Sequence, residues 1–164
     1  MEFEKYIEIL GLQPHPEGGW YREVYRSAEQ FAPGDGDFPS GRNFCTSIYF
    51  LITAGNFSAF HRIKSDETWH FYAGDALEVV ELDDLGNLKK TLIGNDIENG
   101  NLFQCTVPKG AWFASRVNAG GNYSLVGCTV APGFDFRDFE MAKRQKMLVS
   151  NPNHHDIILS LTRD

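Results

Sequence analysis

The chain reads as an all-β sandwich or barrel with a short helix at each end. Three observations predict this. From Thr46 onward, short runs rich in β-branched and aromatic residues follow one another, divided by Gly, Asn or Asp turns. No internal repeat, linker or low-complexity tract breaks the series. The length of 164 residues suits a single domain over 1–164 with one good core.

The elements follow in order. Phe3, Tyr6, Ile7 and Leu10 recur at helical spacing and predict an amphipathic helix over 3–10, stopped at Gly11. Residues 12–20 hold Pro14, Pro16, Gly18 and Gly19 and read as a punctuated loop. Residues 20–27 alternate as a strand does. Pro33, Gly34, Gly36, Pro39 and Gly41 make 28–42 a mobile surface loop. Strands are expected at 46–53, 57–63, 68–72, 76–82, 88–93, 102–107, 112–116 and 123–130, with a hairpin turn at Asp84-Leu85-Gly86-Asn87. Residues 134–139 are a ninth candidate. Residues 141–149 suggest a helical turn or two. A C-terminal helix over 156–161 takes Asn153 as its N-cap.

Composition narrows the function classes. The net charge of -7 argues against a nucleic-acid surface, which needs a basic patch to release counterions. Aromatics at 13%, led by 13 Phe, point to an interior or pocket built from rings. Cys45, Cys105 and Cys128 lack metal-type spacing and read as small buried thiols in a reducing compartment. The start, Met-Glu-Phe-Glu-Lys-Tyr, is acidic where a secretion signal is basic, and no apolar run is long enough to span a membrane. The expectation is a cytoplasmic protein.

Residues 55–74 carry the chemistry. Gly55, His61, Glu67 and Gly74 stand at the spacing G-x5-H-x-H-x3-E-x6-G, with Ile63 at the second histidine. This resembles the first signature of the cupin superfamily. Pro108, Gly110 and Phe113 resemble part of the second, with Phe113 where a histidine would stand. The resemblance implies a jelly-roll β-barrel with a pocket inside. In metal-holding cupins the histidines and the glutamate are the ligands. Here Ile63 and Phe113 have no donor atom, so no metal or other cofactor is expected. A divalent metal held loosely by His61 and Glu67 is the alternative.

Strand parity addresses the same residues. His61 shares a face with Phe57, Ala59 and Ile63, and so points inward. Glu67 shares a face with Trp69, Phe71 and Ala73. The turn Lys64-Ser65-Asp66 brings the two strands together, so His61 and Glu67 meet inside. A buried carboxyl must be paired, hydrogen-bonded, protonated or bound to a cation. The pair is either polar glue or an acid–base couple with displaced pKa values.

Other pocket candidates are Ile63 and Phe113 as an apolar floor, Trp69 for packing or stacking, and Tyr49, whose face parity leaves open. Arg22 suits an anionic group or a surface role. His15, His154 and His155 read as solvated loop and helix-start residues. Glu17-Gly18-Gly19 lacks the strand-to-helix context of a phosphate loop.

The wider sequence resembles an uncharacterised subgroup of single-domain cupins. The matching segments are Leu10 to Gly19, Thr46 to Leu51, His61 to Ile63 and Val130 to Phe134. The resemblance implies a homodimer in which residues 20–27 reach a neighbour and Arg22 completes its pocket. It also implies a fold similar to metal-independent sugar-nucleotide epimerases, with His61 at the base position. The expected function is small-molecule binding with metal-independent epimerase or isomerase chemistry on a carbohydrate or sugar-nucleotide-like ligand. His61 is then the base, and Glu67 orients it. A non-catalytic binding or sensing module and a metal-dependent enzyme with a reduced ligand set are the alternatives.

Overall fold

Alternating β-branched and aromatic residues build two facing sheets in the computed structural model, which describes residues 2–32, 34 and 36–163. The strands are β1 (Gln13–Pro14), β2 (Trp20–Arg26), β3 (Gln30–Phe31), β4 (Arg42–Asn43), β5 (Thr46–Thr53), β6 (Phe57–Arg62), β7 (Asp66–Gly74), β8 (Leu77–Leu82), β9 (Leu88–Ile93), β10 (Gln104–Val107), β11 (Trp112–Val117), β12 (Tyr123–Ala131) and β13 (Glu140–Met141). Among the described residues, one sheet runs β1-β2-β5-β12-β7-β10 and the other β13-β6-β11-β8-β9. All strand pairings within them are antiparallel. This is the jelly-roll arrangement of a cupin, open at its edges.

Between the sheets lies a core that includes Phe50, Ile52, Ile63, Trp69, Val79, Phe113 and Val126. Each sheet is also covered outside. Helix α1 (Glu2–Leu10) sets Phe3, Tyr6, Ile7 and Leu10 on Leu51, Tyr123 and Leu125 of the six-stranded sheet. Helices α2 (Arg144–Ser150) and α3 (His155–Ser160) set Met147 and Ile158, with Leu161 just beyond, on Phe60, Val80 and Ala114 of the other sheet. Covering both faces explains why a strand such as β12 is buried along nearly its whole length instead of on alternate residues. No helix among the described residues is long and apolar enough to cross a membrane.

Three expectations need correction. Residues 134–139 form a 3-10 turn, Phe136–Asp138, not a strand. The Asp135 side chain caps it by accepting the Arg137 N–H at 2.9 Å. Asn153 does not cap α3. Pro152, with its fixed φ, starts a separate 3-10 turn over Pro152–His154, and His154 stands at the N-cap of α3. The 28–42 loop is not simply a surface loop. Its ends pair as the β3–β4 ribbon, and buried Arg42 forms a bidentate pair with Asp138 at 2.6–2.8 Å. Pro33 and Asp35 of that loop lie outside the described residues.

The Arg42–Asp138 pair fastens the ribbon to the segment carrying Phe134 and Phe136. Its side chains are only 5% and 7% exposed. Arg42→Met strands a buried carboxylate and should cost about 3–5 kcal/mol in urea denaturation. Arg42→Met with Asp138→Leu should recover most of that loss.

Candidate functional site

The site is built around a glycine turn and a bulge. Gly18 and Gly19 adopt φ of 114° and 77°, in the left-handed region that favours glycine. A Cβ on Gly18 would sit 2.1 Å from the Phe57 carbonyl oxygen, and one on Gly19 would sit 2.7 Å from that of Leu51. This close approach drives the preceding residue, Glu17, into the barrel. The Ala59 N–H donates to the Glu17 carbonyl at 2.9 Å. Arg163 locks the turn from outside, donating to the Phe57 carbonyl at 2.8 Å and lying over the Phe57 ring.

On β6 the pairing shifts from Phe113↔His61 to Ser115↔Ser58, so Ala59 and Phe60 oppose the single residue Ala114. This bulge re-faces the strand. Phe57 and Phe60 turn outward to the C-terminal helices, while Ser58 and His61 both point inward to Glu17. Strict alternation would have placed Ser58 and His61 on opposite faces.

The proton positions follow from the partners. A carbonyl only accepts, so His61 Nδ1–H donates to the Ala59 carbonyl at 2.7 Å. In a neutral ring, Nε2 is then a lone pair, and it lies 3.1 Å from Glu17 Oε2. Burial pushes the Glu17 carboxyl well above its ordinary range, and the nearby Glu67 adds to this. Burial pushes His61 down to about 3. Both groups therefore favour their neutral forms. The contact is a neutral hydrogen bond from the Glu17 carboxylic acid to Nε2, not an ion pair. Ser58 Oγ–H donates to the other Glu17 oxygen at 2.8 Å.

His15 lies beside this pair. The Glu17 backbone N–H points at its Nδ1 at 3.3 Å, which leaves the proton on Nε2. Tyr21 meets the ring edge-on at 4.5 Å, Phe136 stacks on it, and burial holds it at about 4. Glu67 enters from β7. Burial raises its carboxyl to about 7, opposed by a hydrogen bond with the Cys128 thiol. All these groups border one cavity of about 440 Å³. Tyr21, Ile48, Phe50, Phe134 and Phe136 form its apolar wall, and Glu23, Arg26 and Asp135 also line it.

The structure thus brings His61 and Glu67 to the same cavity, but the hydrogen-bond partner of His61 is Glu17. Arg22 lies elsewhere. Alternation sends it to the outer face, where it is exposed and donates to the Leu10 carbonyl at 2.9 Å. Tyr49 also faces outward, against Tyr72 and the α1 cluster. Ile63, Trp69 and Phe113 are fully packed core residues beneath the cavity, with Phe113 4.1 Å from the His61 ring. A bulge in β7 between the levels of Phe71 and Ala73 turns Ala73 outward, away from the face it was expected to share with Glu67.

His15 and Glu17 were not anticipated as site residues. The sequence did carry a signal: paired glycines after an isolated Glu permit the tight approach that buries it. The cupin metal positions here are His61, Ile63, Glu67 and Phe113. Two of them lack donors, and both His61 nitrogens are already engaged. That donor set does not fit the four-ligand site. Among the described residues, no group of three His, Cys, Asp or Glu side chains is placed to hold a metal ion.

The profile of the cupin superfamily group DUF985 matches residues 4–142. The chain belongs to that family. It is 30% identical over 156 residues to the uncharacterized protein YML079W of Saccharomyces cerevisiae, covering 88% of this chain and 77% of the relative. A hypothetical protein from Leishmania major superposes with a TM-score of 0.91 at 40% identity, covering 98% of both chains. A Shewanella oneidensis protein does so at 0.89 and 39%, covering 98% of this chain and 96% of that one. Oxalate decarboxylase from Bacillus subtilis shares the fold alone, with a TM-score of 0.56 at 13% identity, covering 92% of this chain and 37% of that one.

The raised Glu67 sets a pH dependence. Its pKa moves from the ordinary 4.5 to about 7, so between these values the folded protein keeps a proton that the unfolded chain has released. That stabilising contribution is complete below pH 4.5 and is lost as pH rises through 7. Glu67→Gln should therefore gain stability relative to the parent between pH 5 and pH 8, by roughly 2–3 kcal/mol in paired urea titrations. A constant difference across that range contradicts the assignment.

Proposed function

We propose that the cavity binds a small, polar, carbohydrate-like molecule and moves a proton on it, as an epimerase or isomerase does. The observation carrying this reading is that the two buried carboxyl groups of Glu17 and Glu67 share one cavity with the imidazoles of His15 and His61, with Glu67 poised to titrate near neutrality. Such a carboxylate is matched to general-base work at pH 7. The role of base thus passes from His61, which burial weakens, to Glu67. In the proposed step, Glu67 takes a proton from a carbon next to a carbonyl, and the electron pair moves onto the carbonyl oxygen. The Glu17 carboxylic acid returns a proton to carbon as the electron pair comes back from oxygen, and exchange with solvent then moves a proton from Glu67 to Glu17, which restores both groups and ends the transient charge on Glu17. The apolar wall suits the carbon face of a ring, with few polar anchors.

The expected homodimer has support in the edge of the six-stranded sheet. Among the described residues, β1 pairs only with Trp20 and Tyr21 of β2, and beyond them Val24 and Tyr25 are exposed. A free edge of this kind invites a strand from a second copy.

Solvent deuterium exchange tests the chemistry. Incubation in D2O with a panel of free and nucleotide-linked sugars should label one carbon position of the substrate. Glu67→Gln should slow labelling by about 10²–10⁴-fold, and Glu17→Gln should slow it as well. Labelling that persists undiminished in Glu67→Gln removes Glu67 from the role of base.

A further inference from the structure

We propose that the cavity takes an amine: a phosphate-free ligand of amino-sugar size, whose ammonium group donates to Glu67 and whose body lies on the aromatic wall. This rests on the reading that the cavity binds a carbohydrate-sized molecule, and it adds the charge of that molecule.

Glu67 is the first reason. It is 7% exposed and lines the cavity, yet among the described residues the hydrogen-bonding partner of its carboxyl is the Cys128 thiol, a weak donor. A buried carboxyl with so little support calls for a strong donor from the cavity side, and an ammonium supplies three N–H groups and a compensating charge.

The groups around Glu67 supply no such charge. Cys128 faces it from β12 and Cys105 from β10, and burial pushes both thiols up, so they stay protonated. Glu17 comes from the glycine turn and is held in its acid form, and His61 from β6 is held neutral. A cationic ligand would bring the positive charge that this neighbourhood lacks.

The second reason is the rim. Glu67, Val130, Thr46 and Arg26 are successive partners across β7, β12, β5 and β2, so Arg26 ends the row that Glu67 begins. Arg26 brings the cavity its guanidinium, but Nε and Nη2 already grip both Glu23 oxygens at 2.9 and 2.7 Å, and Nη1 donates to Asn43 at 3.0 Å. Asp135 at the rim similarly holds Arg137. A phosphate would have to displace Glu23 and then face the freed carboxylate. An ammonium meets no such competitor, and Tyr21, Phe50, Phe134 and Phe136 present rings that attract cations.

The test is calorimetric titration at pH 7 with three probes on one ring: glucosamine, glucose and glucose 1-phosphate. Glucosamine should bind about tenfold tighter than glucose, and glucose 1-phosphate more weakly than either. Glu67→Gln should abolish the preference for the amine. Glu23→Gln, which leaves Glu67 in place, should keep that preference while releasing Arg26 and strengthening glucose 1-phosphate. Affinity for glucosamine should climb as pH rises from 5 to 7, because its charge favours ionised Glu67. The proposal is overturned if glucosamine fails to outbind glucose, if glucose 1-phosphate binds best, or if the preference survives in Glu67→Gln. Amine preference without deuterium exchange would sink only the proton-transfer reading. Exchange without amine preference would sink only the present one.

Discussion

A protonated carboxyl group wedged between a hydroxyl and an imidazole holds this barrel's interior together. Glu17 receives a hydrogen bond from Ser58 and gives one to His61, all beyond the reach of bulk water. An ionised carboxylate there would carry a desolvation penalty of several kcal/mol. The neutral acid satisfies both neighbours without charge. The turn, the bulge and the C-terminal arginine all serve to put that one group in that place.

The cavity divides into two electrostatic regimes. At the floor, burial drives every titratable group toward neutrality: His15, His61 and Cys128 as much as Glu17. At the rim, charges persist because they are paired, as Glu23 is with Arg26 and Asp135 with Arg137. Glu67 belongs to neither regime. It is buried like the floor but among the described residues has only the Cys128 thiol as partner, and burial raises its carboxyl to about 7.

Much of this was legible in the sequence, and the rest failed for definite physical reasons. The order of strands and the first helix follow from periodicity, and His61 and Glu67 do line the interior, but Phe57, expected on the His61 face, is turned outward by the bulge. Arg22 stands on the outer face of β2, as one of its two readings, a surface role, expects. The pairing of His61 with Glu67 failed because adjacency across a tight turn does not outrank a loop that folds in from another part of the chain. Glu17 sits 44 positions before His61, and only the left-handed glycines that follow it reveal that the chain must press against β6. Asn153 was a sound cap by side chain, but the proline before it had already set the turn. Bulges are the hardest to foresee, since no residue type marks Ala59 and Phe60 as the two that share one partner.

That unmarked bulge makes the site a matter of chain length as much as of residue identity. Ser58 and His61 converge because β6 is one residue longer than the stretch of β11 it faces. Point substitutions can weaken the convergence, but they leave the count untouched. Dropping Ala59 or Phe60 restores even spacing and still leaves Ser58 and His61 on one face, two positions apart, but it removes the bulge whose Ala59 carbonyl accepts the His61 Nδ1 proton and whose Ala59 N–H holds the Glu17 carbonyl.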